Sequence, residues 1–197
     1  MQQIPTSRIE AFSDGVIAII ITIMVFDLKL PEISRSSDLP NALLTLLPKF
    51  LSYALSFMVL AIMWINHHQL FHQIERSDRN LLWYNVHLLF WMSLIPFVTN
   101  FIGASPLLPY ASFFYGIIFF MCALSFTMLR HYVVKNNLLI QTISRSAHQK
   151  IVRKNRLSMS LYALAAVLSF VSVYISFTFF FIVPAMYFVP ERIVHDN

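Results

Sequence analysis

Arg8-Ile9-Glu10-Ala11-Phe12-Ser13-Asp14-Gly15 leads straight into Val16–Leu28, an apolar run interrupted only by Thr22 and Asp27. A span this apolar has no reason to open on Ser-Asp. A carboxylate at the membrane border costs free energy and is normally kept for an ion path or a packed polar network. The stretch therefore predicts an integral membrane protein whose first helix, about 7–30, carries its function.

Composition points the same way. Of 197 residues, 58% are hydrophobic and only 12% charged, against roughly a quarter charged in soluble domains. Three glycines leave no glycine-rich phosphate loop. Cys122 has no second cysteine in the chain, which excludes an internal disulfide and a cysteine-based metal site. The net charge of +5 does not point to nucleic acid, because the basic residues fall between apolar spans and act as topology signals.

Six spans follow from the hydropathy, at about 7–30, 42–72, 78–102, 108–134, 155–171 and 174–190. Most are long enough to cross a hydrocarbon core of about 30 Å. The last two are read from one continuous block as a tight hairpin turning near Ser172-Val173. No cleavable signal peptide and no soluble domain are expected, so 1–197 reads as a single all-α membrane bundle. With both termini inside, the cytoplasmic side holds Arg8, Arg76, Arg79, Arg130, Lys135, Arg145, Lys150, Arg153, Lys154, Arg156 and Arg192. The opposite side holds Lys29, Arg35 and Lys49. The positive-inside rule selects this multi-pass orientation in a cell membrane, and an even number of spans fits it.

At 100° per residue, Phe12, Val16, Ile19, Ile23, Phe26 and Leu30 fall on one stripe of the first helix, with Gly15 and Thr22 on its flank. Ser13 and Asp14 lie off that stripe and face neighbouring helices of the same subunit. Such a stripe is more often lipid or bundle packing than a pore lining narrowed by branched side chains. One helix leaves both readings open.

The second span ends on Trp64-Ile65-Asn66-His67-His68-Gln69-Leu70-Phe71-His72. His68 and His72 share a helix face, but such pairs are usually hydrogen-bonded near the interface, and no metal is expected. His67 or His68 lies at the depth needed to meet Ser13 or Asp14. Asn85, His87, Ser93 and Thr99 are candidates for hydrogen bonds between helices. Pro96 is expected to kink the third span.

These residues carry a family resemblance. Arg8-x-x-x-Phe12-Ser13-Asp14 resembles the signature of the transmembrane-protein-175 potassium channels, in their short prokaryotic form. The agreement continues through Trp64-Ile65-Asn66-His67-His68, Leu70-Phe71, Asp78, Leu81-Leu82, Asn85 and Pro96-Phe97-x-Thr99. The resemblance implies a homotetramer of six-helix subunits with a central pore lined by the first helix, without a Thr-Val-Gly-Tyr-Gly filter. It implies that Ile19 is the main apolar constriction, with Ile23 and Phe26 in the layers above and the Thr22 hydroxyl associated with selectivity. Phe26 is bulkier than the aliphatic residue expected there. Arg8, Phe12, Ser13, Asp14, Trp64, His67 and His68 would form the network that ties the first helix to its neighbours.

The expected function is passive conduction of monovalent cations, potassium modestly favoured over sodium, with no cofactor beyond the permeant K+ and with membrane lipids as surroundings. Asp27 at the outer mouth, with Glu32, would raise local cation concentration, against Lys29 nearby. The alternative is a proton-coupled or proton-conducting transporter built on Asp14 and the histidines. It would normally come with inverted repeats or paired broken helices, which the sequence hardly offers. An enzyme is disfavoured, since no nucleophile stands with a companion base. The basic stretch 145–156 reads as a topology signal ahead of an anionic-lipid site.

Overall fold

Apolar runs that begin at a proline or a capping carboxylate become helices in the computed structural model, which describes residues 5–31, 35–140 and 145–188. Its α-helices are α1 (Thr6–Ile23), α2 (Leu39–Phe71), α3 (Arg79–Ser93), α4 (Ile95–Ala104), α5 (Pro109–Lys135), α6 (Arg145–Leu168) and α7 (Val173–Phe188). Proline occupies the first turn of α2, α4 and α5, where its missing N–H costs nothing. Asp78 starts α3 by accepting the Leu81 N–H at 2.7 Å.

α3 and α4 are two halves of one rod, so six rods make the bundle. The break falls at Leu94, two residues before Pro96. Proline lacks the N–H that would continue the ladder, and its ring crowds the preceding turn. The expected kink is thus a full interruption. Two other boundaries differ from the sequence expectation. α1 stops at Ile23 and tightens into a 3-10 turn over Met24–Asp27, so Leu30 is not helical. Pro31 pushes the residue before it out of the helical region. α6 begins at Arg145, ten residues ahead of its expected start. Nothing in 145–154 breaks a helix, and polar residues can continue one beyond the membrane. Glu32 and Arg192 lie outside the described residues.

Among the described residues, four rods are long and apolar enough to cross a bilayer: Thr6–Asp27, Ser36–Phe71, Arg79–Ala104 and Pro109–Lys135. α7 is apolar but shorter, and α6 has a basic first half. At 33 residues, α2 is about 50 Å long and overreaches the hydrocarbon core.

α5 forms the centre, with Tyr115, Phe119, Cys122, Leu129 and Val133 all fully or almost fully buried. Two glycines allow close crossings. A Cβ on Gly116 would stand 2.9 Å from the Ala166 Cβ, which brings α5 against α6. A Cβ on Gly103 would stand 2.5 Å from the Ser52 Oγ, which does the same for α4 and α2. The α2–α3 and α5–α6 connections pair at one end of the bundle, where Ile74 bridges Leu139.

Candidate functional site: the first helix and its polar anchor

α1 has one buried face and one bare face. Ile9, Ile17, Ile20 and Met24 are at most 3% exposed and pack into the core, with Ser13 fully buried among them. On the other side Phe12 is 59%, Ile19 60%, Ile23 40% and Phe26 72% exposed, with Gly15, Ala18 and Thr22 between them. Val16, expected on this stripe, is half-buried against the core instead. Replacing the apolar Val16 by Gly15 and Thr22 leaves a bare face running Phe12, Gly15, Ile19, Thr22 and Phe26.

Thr22 donates its hydroxyl hydrogen back to the helix, with Ala18 O at 2.9 Å and Ile19 O at 3.0 Å. A hydroxyl has one hydrogen and two lone pairs. With the hydrogen held on the backbone, the side chain offers acceptor oxygen to the bare face. That suits a cation.

The buried face is anchored by a directed chain of hydrogen bonds. His67 on α2, fully buried, contacts the Asn85 Oδ1 on α3 through Nε2 at 2.8 Å. The Asn85 amide donates to the Ser13 Oγ at 2.8 Å, and Ser13 donates to the Ile9 carbonyl at 2.8 Å. Because Asn85 presents its oxygen to His67, the imidazole Nε2 is the donor, an assignment made from the network. The ring stacks on Phe71 at 4.2 Å.

A second group lies beside it, with Glu10 and Asp14 half-buried and Trp64 and His68 exposed. The Trp64 indole donates to the Asp14 Oδ1 at 2.9 Å, and His68 Nδ1 meets the Glu10 Oε1 at 2.8 Å. Glu10, Asp14 and His68 bring ligating atoms within 4.8 Å of one another. His72 stacks on His68 at 6.2 Å and takes no part in that group. At the other end of α1, the Asn100 amide donates to the Asp27 Oδ1 at 2.5 Å.

The structure therefore brings together Ser13, Asp14, Trp64, His67 and His68. Arg8 and Phe12 lie on exposed surface and do not enter the hydrogen-bonded set among the described residues. Of the four polar residues on the third rod, Asn85 and Thr99 bond to other helices, Thr99 through the Ser56 Oγ at 2.7 Å. His87 and Ser93 bond within α3, to Trp91 and Phe90. Sequence reasoning gave no specific role to Glu10, Asn100 or the Asn85 junction. Glu10 was detectable, since it shares a helix face with Asp14 one turn away.

The model of the family described as endosomal/lysosomal potassium channel TMEM175 matches residues 8–96, the region that holds α1 and its anchor. A potassium channel of Chryseobacterium sp. (strain P1-3) is 38% identical over 190 residues, covering 96% of both chains. The chain belongs to the TMEM175 family. The crystal structure of a TMEM175 homologue from Chamaesiphon minutus, described as a lysosomal potassium-selective channel homologue, superposes with a TM-score of 0.81. It is 32% identical and covers 92% of this chain and 95% of that one. A human relative, named endosomal/lysosomal proton channel TMEM175, is 24% identical over 162 residues, 79% of this chain and 31% of that protein. As a prokaryotic-type TMEM175 member, the chain is a multi-pass membrane protein of an ion-channel family, not an enzyme, and needs no cofactor.

Proposed function

We propose that this TMEM175 chain is the subunit of a potassium-permeable cation channel in the cell membrane, with the bare face of α1 lining the pore of a homotetramer. One observation carries the reading. The first rod, Thr6–Asp27, has the highest hydropathy of the four long apolar rods, and it buries one face to 3% or less and leaves the opposite face, from Phe12 to Phe26, uncovered. Four such faces around an axis would make Ile19 the tightest apolar ring, with Ile23 and Phe26 beyond it. Branched side chains there constrict or dewet the path. Opening would require a twist or tilt of α1. The Thr22 oxygen, one turn from Ile19, would replace part of an ion's hydration shell and favour potassium modestly over sodium. Asp27, held by Asn100, keeps a carboxylate at the outer mouth. Ser13, Asp14, Trp64, His67 and His68 act as the anchor, and both termini lie in the cytoplasm. The test is the reversal potential of purified protein in planar bilayers with potassium opposite sodium. A reversal favouring potassium supports the channel, and absence of current with gradient-driven uptake in liposomes rejects it.

A second reading has its own observation. Glu10, Asp14 and His68 converge within 4.8 Å at the inner end of α1, and protons could use such a group. A reversal potential that follows a pH gradient at fixed potassium, and is lost in His68→Gln, would favour proton conduction.

A further inference from the structure

Leu47, Leu51 and Phe181, 47–49% exposed, form the mouth of a crevice of about 270 Å³ between α2 and α7. Its floor is Leu55, Ile102 and Tyr115, on α2, α4 and α5, all at most 4% exposed. Protein interiors are close-packed, with few voids larger than a water molecule. An opening of this size calls for an occupant.

Water does not suit it. A buried water needs about two to four polar partners, and Ser52 and Tyr115 alone bring a polar side chain to the wall. Both are already engaged. Ser52 donates its hydroxyl to the Lys49 carbonyl at 2.9 Å, and the Tyr115 hydroxyl is paired with Ser56 at 2.9 Å. What remains is a dry wall of carbon. An apolar cavity of about 150 Å³ already takes up benzene, and this one is larger.

The mouth opens sideways, on the flanks of α2 and α7. The floor reaches Tyr115, about 9 Å along α5 from its first residue, Pro109. α2 and α5 both belong to rods long and apolar enough to cross a bilayer. At that depth a lateral mouth meets hydrocarbon, not water. The wall carries no charged side chain, so nothing in it selects a headgroup.

We infer that this crevice is a lipid site, holding one acyl chain of a bilayer phospholipid that enters sideways between α2 and α7 and leaves its headgroup outside. A chain seated there touches α2, α4, α5 and α7 at once and fills the void between them. None of the lining residues belongs to α1, so the assignment does not depend on the conduction reading.

The experiment uses the full chain in neutral detergent, delipidated and then supplied with dioleoyl phosphatidylglycerol or dioleoyl phosphatidylethanolamine. Thermal midpoints are followed, and retained lipid is counted per chain by native mass spectrometry. The wild type should keep one phospholipid per chain and gain about 5 °C with either lipid, since the chain is what is held. Leu55→Trp fills the floor with an indole and should keep none and respond to neither. Leu55→Phe fills it in part and carries the test if the tryptophan variant does not fold. A response to one headgroup alone, no retention by the wild type, or filled variants that retain lipid as the wild type does, overturns the assignment. Leu47→Cys tests the other occupant, a second copy of the chain. Ready oxidation to disulfide-linked pairs would place that copy at the mouth and also overturn the lipid site.

Discussion

Asn85 joins three helices through one amide, and its removal should be felt at both ends. In Asn85→Ala, His67 Nε2 loses its acceptor and Ser13 loses a donor, both in fully buried positions. A buried polar group left without its partner costs about 1–3 kcal/mol. The variant should lose roughly 2–4 kcal/mol, read as a lower unfolding midpoint in mixed micelles. Asp14 has a different place, on the half-buried side with Trp64 as its donor. Asp14→Ala should therefore weaken the assembled protein more than it alters ion preference, and Trp64→Phe should reproduce part of the effect. A normal melt with changed selectivity would reverse that assignment. At this scale the residue type already showed the need for a partner. Which partner it found depended on contacts 18 to 72 residues away along the chain.

At the scale of the element, α1 is decided by its two faces. On the proposed reading, Ile19→Asn places a hydrogen-bonding side chain on the bare face and should wet the constriction, raising basal leak several-fold in liposome flux. Unchanged flux in folded protein would count against Ile19 as the gate. Thr22→Val keeps the shape and deletes the acceptor oxygen, so potassium-to-sodium preference should fall while stability stays within about 0.5 kcal/mol, as for surface substitutions. The α4–α2 crossing gives a purely structural prediction. Gly103→Val would drive its side chain into Ser52 and the Lys49 backbone, costing about 1–3 kcal/mol by overpacking. The sequence stripe placed Val16 with Ile19, whereas packing turns Val16 toward the core. Helical angle alone does not say how much of a helix its neighbours cover.

For the whole molecule, the testable property is orientation. Cys122, fully buried, is the chain's one cysteine and gives a low labelling background. In Arg153→Cys an impermeant maleimide should react from the cytoplasmic side, and in Arg35→Cys from the opposite side. Both residues are exposed. Labelling of both from one face would reject the odd number of crossings, three, expected between them.

Class, membrane placement and six rods were legible in the sequence because apolar run length is a one-dimensional property. The anchor was legible in part. Ser-Asp at the head of an apolar helix, and histidines at the matching depth of the next, announced polar groups that needed one another. Only the tertiary structure decided that Asn85 stands between Ser13 and His67, that Glu10 goes to His68, and that Asn100 holds Asp27. Those pairings depend on rotation and depth of packed helices, which side-chain volume at distant close crossings sets. The same packing buried Arg130, a residue whose position in the sequence reads as a topology signal, and left one face of α1 bare. Coverage belongs to neighbours in space, and no pattern within a single helix contains it.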